Sequence, residues 1–157
     1  MDTRQAQWAT RLREIPGSFR QALRTADERA IRHRPGPGEW SAIEVPGHMI
    51  DKMSHWSSRV ERIAREVLPL LPEYDQDAEV RTHGYQQADP AVLCEALEQQ
   101  CERFAALVEA LPSSALQRQG IHSEYGPMTI QHCMETVLAS VDEHLKQLRT
   151  ALEAALT

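Results

Sequence analysis

Apolar residues recur at steps of three and four in four segments of the chain, and this spacing constrains the fold more than any other feature. Such spacing places the apolar side chains on one face of an α-helix, which must then be buried against other helices. No alternating run of β-branched residues occurs. The pattern therefore predicts an all-α protein, a four-helix bundle. The four stripes are Trp8, Leu12, Ile15, Phe19, Leu23 and Ala26; Val45, Ile50, Met53, Val60, Ile63 and Val67; Leu93, Leu97, Cys101, Phe104, Val108 and Leu111; and Ile130, Met134, Val137, Val141, Leu145, Leu148 and Leu152.

Capping signals predict where three of these helices begin. Ser41 and Glu44 have the spacing of a capping box, so a second helix is expected from Ser41 to about Leu68. Asp89-Pro90 offers an N-cap followed by proline at the first helical position, which predicts the start of the third helix. Thr129 is the expected N-cap of the last helix.

The segments between the stripes predict long connections after the second and third helices. Residues Pro69 to Ala88 show no periodicity, and irregular stretches of this length in compact domains are usually covering or mobile loops. A second irregular loop is expected from Ser113 to Met128. Within the first helix, Pro16-Gly17 predicts a kink.

Composition restricts the classes of function. The chain has 157 residues and a net charge of −6, which predicts one acidic domain over residues 1–157 and argues against nucleic acid as a partner. No apolar run is long enough to span a membrane and the first residues form no signal peptide, so no membrane partner is expected. Three cysteines without CxxC spacing, Cys94, Cys101 and Cys133, suit a reducing cytoplasm, which is the expected location.

Histidines are the most promising source of chemistry in this chain, which contains seven of them. Motifs of the types GxSxG, HExxH and glycine-rich phosphate loops are absent. His48 borders the apolar face of the second helix, and His144 borders that of the last helix. His55 lies about 10.5 Å along the axis from His48, and His132 about 18 Å from His144, so neither shares a site with its neighbour.

Several runs of residues resemble the DinB/YfiT-like superfamily. Residues 34–51 read RPGPGEWSAIEVPGHMID, similar to the family stretch R-P-x-P-x-E-W-S-x-x-E-x-x-x-H-x-x-D. The likeness runs in the expected order from about Arg34 to Leu148. Its further elements are Tyr74-Asp75, Gly120-x-His122-x-x-x-Gly126-x-x-Thr129 and Asp142-Glu-His-Leu-Lys-Gln147.

The resemblance implies a four-helix bundle with up-down-down-up connectivity and, in many members, a divalent metal, Zn or Ni, held by three histidines. One ligand comes from the second helix and two come from an H-x-x-x-H pair on the last. These positions fall on His48, His144 and Ser140, so the usual third ligand is a serine here. Asp51 is then expected to orient an imidazole through its other nitrogen.

The missing imidazole leaves two alternatives for the site. In one, a weak metal site survives on His48 and His144, with water or a carboxylate completing it. The nearest carboxylates in the sequence are those of Asp51 and Glu143, although Glu143 lies about 100° around the helix from His144. In the other, the metal is lost. His122 and His83, in the expected loops, are outside candidates for the missing ligand.

The corresponding functions differ in class. The resemblance implies a metal-dependent transferase or hydrolase, similar to the S-transferases that use the low-molecular-weight thiols bacillithiol or mycothiol. The alternative is a non-catalytic small-molecule-binding or stress-response bundle without metal. The acidic charge argues against the DNA-associated role that the family name suggests. Trp8 and Trp56 leave two alternatives: the rings lie on an exposed apolar face that a homodimer covers, or both cap their own bundle.

Overall fold

The computed structural model describes all residues from Met1 to Thr157, and it confirms the predicted four-helix bundle. Three long helices, α1, α3 and α5, correspond to the first three apolar stripes, while α6 and α7 together form the fourth. Two short helices and three short strands connect them. The bounds are α1 Thr3–Arg24, α2 Glu28–Arg32, α3 Glu44–Arg65, β1 Leu70–Leu71, α4 Gln76–Thr82, α5 Pro90–Ala110, β2 Gln119–His122, β3 Gly126–Thr129, α6 Ile130–Ala139 and α7 Val141–Ala154.

Helices α3 and α5 run parallel, as backbone contacts at both of their ends show. At one end, Arg32 donates to the carbonyl groups of Gln86 and Ala88, just before α5. The Ile43 amide, just before α3, donates to the carbonyl of Ile31, beside Arg32. At the other end, the strands β1 and β2 that follow the two helices pair in parallel. The connection after α3 therefore returns the chain to the starting end.

The two outer helices complete the up-down-down-up connectivity. Gln5, near the start of α1, donates to the carbonyl groups of Val108 and Leu111 at the end of α5, so α1 is antiparallel to α5. The last helix begins beside β2, where the Ile130 amide donates to the Arg118 carbonyl. It therefore leads back from the strands toward the other end of the bundle, as the resemblance implied.

The core is filled largely by aliphatic side chains, and α1 packs most extensively against α5. Cys94, Cys101 and Cys133 are buried and free. Trp8 and Trp56 are buried in the chain's own core, so they provide no exposed face for a homodimer. No helix is long and apolar enough to cross a membrane.

The start of α3 differs from the predicted capping box. The Ser41 amide donates to Oε1 of Glu44 as expected, but the Ser41 hydroxyl does not cap the helix. It donates instead to the side chains of Glu44 and Gln86, which leaves Ile43 as an N-cap without a side-chain bond. The helix consequently begins at Glu44 and ends at Arg65, three residues inside each predicted bound. The caps by Asp89 and Thr129 are confirmed.

Both connections expected to be irregular contain regular structure. Residues Pro69 to Ala88 include β1, the helix α4 capped by Asp75, and a 3-10 turn. Residues Ser113 to Met128 include another 3-10 turn and most of the β2–β3 hairpin. The prediction was wrong here because strands of two to four residues are too short to produce an alternating pattern. Pro16-Gly17 does not end α1, which continues to Arg24.

Candidate functional site

His48 lies at the centre of the candidate site, on the second turn of α3. Its side chain is fully buried, and neither Nδ1 nor Nε2 has a hydrogen-bond partner. The ring centroid lies 4.7 Å from that of His144 on α7 and 4.6 Å from that of Trp40, which precedes α3. The structure therefore brings together the two histidines that the sequence singled out, and Trp40 packs against His48.

Both imidazoles of this pair favour the neutral form. Burial lowers the pKa of His48 from 6.5 to about 3, with further contributions from His144 and Lys52. Burial also lowers the pKa of His144, partly opposed by its hydrogen bond to Gln147. The Nδ1 atom of His144 lies 3.1 Å from Oε1 of Gln147, which favours a proton on Nδ1 and leaves Nε2 as an acceptor. Near neutral pH each ring therefore offers one unprotonated nitrogen.

Ser140 does not contribute to this pair through a hydrogen bond. It lies between α6 and α7, and its hydroxyl donates to the carbonyl of Val137 at 2.8 Å. A serine hydroxyl that bonds back to its own helix competes with the backbone ladder and bends helices. The last helix, predicted to be continuous, is accordingly interrupted at Ser140.

Asp51 lies one turn after His48 but contacts different residues. Its Oδ1 atom accepts from the Tyr85 hydroxyl at 2.7 Å and faces Nδ1 of His83 at 2.9 Å, while Oδ2 is buried without a partner. Burial raises the pKa of this carboxyl group, although the bonds from Tyr85 and His83 oppose the shift. Because neither His48 nitrogen has a hydrogen-bond partner, the imidazole that Asp51 orients is that of His83.

His83 and His122, the other candidates for the third ligand, each contact a carboxylate elsewhere. His83 faces Asp51, and His122 is buried at the end of β2. The Nδ1 atom of His122 accepts from the amides of Glu124 and Tyr125, so the proton resides on Nε2, which pairs with Glu73 at 3.1 Å. No nitrogen of His122 is left for a metal ion.

Two clefts flank the histidine pair, and Gln76 and Glu143 line both of them. The first, of about 670 Å³, reaches His144 and Trp40. The second, of about 450 Å³, reaches Ser140. The first cleft therefore gives access to His144, whereas the buried His48 ring lines neither cleft.

The residues present do not fit the three-histidine metal centre that the resemblance implied. No group of three His, Cys, Asp or Glu side chains is arranged to hold an ion. The pair of imidazoles has only Ser140 at the third position, where the hydroxyl is already bonded to Val137. Zn²⁺ and Ni²⁺ favour imidazole over a neutral hydroxyl, and a catalytic zinc site normally has three protein ligands. Lys52 adds positive charge beside both rings.

Three residues near the pair or in the second cleft were not singled out from the sequence. Trp40 packs at a tilt against His48, Lys52 lies one turn further along α3, and Arg59 lies two turns beyond Lys52 and lines the second cleft. The helical spacing of His48, Lys52 and Arg59 was the available signal, because residues four and seven apart share a face. Cations at these positions resemble ordinary surface residues in a sequence, so their burial was not apparent.

The fold and the histidine pair define a bundle protein whose candidate site lies between its second and last long helices. The chain belongs to the DinB superfamily, whose family model matches residues 11–148. No curated protein matches the sequence. Among solved structures, it is similar to YfiT from Bacillus subtilis, with a TM-score of 0.85 and 19% identity over 96% of this chain and 87% of that chain. YfiT is described as "a probable metal-dependent hydrolase with an unusual four-helix bundle topology".

Proposed function

We propose that this chain binds a small organic molecule beside His48 and His144, and that it does so without a resident three-ligand metal ion. The observation that carries the proposal is the pair of unpartnered nitrogens on the fully buried His48 ring. Buried polar atoms are almost always hydrogen-bonded, so a ligand with a donor group is the natural partner of this ring.

Ser140 supports the absence of the metal in this proposal. Its hydroxyl bonds to Val137 rather than facing an ion, and no carboxylate replaces the third ligand. Asp51 and the histidines 83 and 122 have other partners. The two neutral imidazoles then act as hydrogen-bonding groups, each with one unprotonated nitrogen toward a ligand donor.

The test begins with chelator-treated protein. Aromatic and polar fragments are screened by ligand-observed NMR, and we expect binders whose signal is lost in His144→Leu. His132→Leu is the matched control, because His132 is exposed near the start of α6 and lines neither cleft. Fragment binding that is unchanged in His144→Leu, or none at all, would overturn the proposal.

A second candidate is a metal-dependent hydrolase or thiol S-transferase. The free nitrogens of His48 and His144 favour it, and so does the description of YfiT, which has the same fold. In this candidate a low-molecular-weight thiol completes the coordination, because two imidazoles alone leave the site one protein ligand short. It predicts stoichiometric metal in protein purified without chelator.

Substitution at residue 140 separates the two candidates. We expect Ser140→His to raise Zn²⁺ affinity by at least about tenfold in calorimetric titrations, since even groups that only orient metal ligands change affinity by that much. Thr136→His, one turn earlier and beside the same cleft, is the control and should not raise Zn²⁺ affinity. If the parent chain already binds Zn²⁺ or Ni²⁺ as tightly as Ser140→His, the metal-dependent candidate replaces our proposal.

A further inference from the structure

The second cleft contains two cations that have no acidic partner. Arg59 is 6% exposed and Lys52 is half-buried, yet neither forms an ion pair with a carboxylate. Seven other arginines do form such pairs, nearly all of them on the surface: Arg4, Arg13, Arg20, Arg32, Arg34, Arg62 and Arg65. The other unpaired arginines and Lys146 are all exposed, so Lys52 and Arg59 are the only cations that are both shielded from solvent and without an acidic partner.

Arg59 is held rigidly with most of its donors unused. One Nη2 hydrogen bond goes to the Pro72 carbonyl at 2.8 Å, and no other acceptor contacts the guanidinium. The group lies 4.7 Å from the ring centre of Trp56 and 5.7 Å from that of Tyr74. These stacking contacts fix its plane, and a guanidinium fixed in this way is suited to bind a carboxylate through two hydrogen bonds.

Lys52 is the second charge of the cleft. Burial lowers the pKa of its ammonium group, and Glu143 opposes the shift without coming within ion-pair distance. Glu73, the other carboxylate in the cleft, is half-exposed and pairs with His122. Both acids therefore leave the two cations free, and a buried cation is stabilised when an anion becomes its partner.

Aromatic rings form the walls beside these cations. Trp56, Tyr74 and Tyr125 line the cleft, with His122 stacked 4.5 Å from Tyr125. Such walls favour a flat organic group over a bare inorganic ion. Gln76 and Glu143 line both this cleft and the one that reaches His144, so the two clefts are neighbours.

We infer that Lys52 and Arg59 form an anion subsite that takes the carboxylate of a small aromatic acid. The inference rests on the proposed function, since it gives the chemical class of the molecule that reaches the histidine pair. The carboxylate binds between the ammonium and the guanidinium, and its ring contacts Trp56 and Tyr125.

The experiment uses the fact that Lys52 and Lys146 are the only two lysines. Protein labelled with ¹³C-lysine gives two Cε resonances, and benzoate is the probe. We expect a saturable shift of the Lys52 resonance with benzoate, a weaker one with acetate and none with benzyl alcohol. The Lys146 resonance should stay in place. Equal movement of both resonances, or no saturable movement of Lys52, would overturn the subsite.

Two variants complete the test. Arg59→Lys keeps the charge but removes the planar fork, so we expect it to weaken benzoate binding by about tenfold, equivalent to 1.4 kcal/mol. Arg149→Lys on the exposed face of α7 is the matched control. Unchanged affinity in Arg59→Lys would also refute the subsite. If benzoate moves Lys52 although the parent holds a metal ion, the proposed function fails and the subsite remains.

Discussion

The buried His48 ring should make the chain unstable in acid, and its removal should relieve that instability. In the folded chain burial lowers the pKa of His48 to about 3, whereas an unfolded histidine has a pKa near 6.5. Its contribution to stability is therefore present above about pH 6.5 and is lost as the pH falls toward the folded pKa. Within that window the loss is about 1.4 kcal/mol per pH unit for this one residue.

From pH 7 to pH 5, His48 should lower the free energy of unfolding by about 2 kcal/mol, because the unfolded chain binds a proton that the folded ring does not bind. His48→Leu removes this term. At pH 7 the variant should be within about 1 kcal/mol of the parent, since replacing a buried polar group that lacks partners by an apolar one of similar size is nearly neutral.

Urea unfolding followed by circular dichroism at pH 7, 6 and 5 measures both quantities. His132→Leu is the control, because this exposed histidine should leave the pH dependence of the parent unchanged. If His48→Leu loses as much stability between pH 7 and pH 5 as the parent does, burial of His48 is not a source of the acid instability. The same holds if NMR shows that the His48 ring titrates near pH 6.5 in the folded protein.

Three further changes test the packing around the site and the end of the bundle. Gly47→Ala should lower the free energy of unfolding by about 1–3 kcal/mol, because a Cβ there would lie 2.7 Å from the Cβ of Tyr85 and closer still to its ring. Gly17→Ala, in open space on α1, should instead raise the free energy of unfolding by about 0.5–1 kcal/mol. A change of the same sign in both variants would contradict the close contact between Gly47 and Tyr85. Gln5→Ala should lower it by about 1–3 kcal/mol, because two buried carbonyl groups at the end of α5 lose their donor. Urea unfolding measures all three, and a loss below about 0.5 kcal/mol for Gln5→Ala would show that water replaces its amide.

The helices of this fold were predictable because their apolar stripes are long. Four stripes with caps such as Asp89 and Thr129 predicted the four helices of the bundle, whereas the up-down-down-up connectivity was implied by the family resemblance. The short strands were not predictable, since β1 has two residues and its pairing with β2 depends on where the bundle places the ends of α3 and α5. Helix α4 has seven residues, fewer than periodicity can identify.

The site was predictable in part, for a related reason. His48 and His144 could be matched because each borders a long apolar stripe, and facing helices bring such residues together. The partner of Asp51 could not be predicted, because His83 and Tyr85 come from a connection that shows no periodicity. Arg59 is buried between Trp56, three residues earlier on the same helix, and the loop residue Tyr74, whose position could not be predicted.

Ser140 connects the interrupted helix to the incomplete histidine set. Its hydroxyl bonds to the Val137 carbonyl, and the same bond directs the side chain toward its own backbone and accompanies the break between α6 and α7. A histidine at this position has no hydroxyl with which to make that bond. Ser140→His should consequently favour a continuous helix while it supplies an imidazole one turn before His144. A gain in metal affinity without loss of stability would show that Ser140 accounts for both the break between α6 and α7 and the incomplete histidine set.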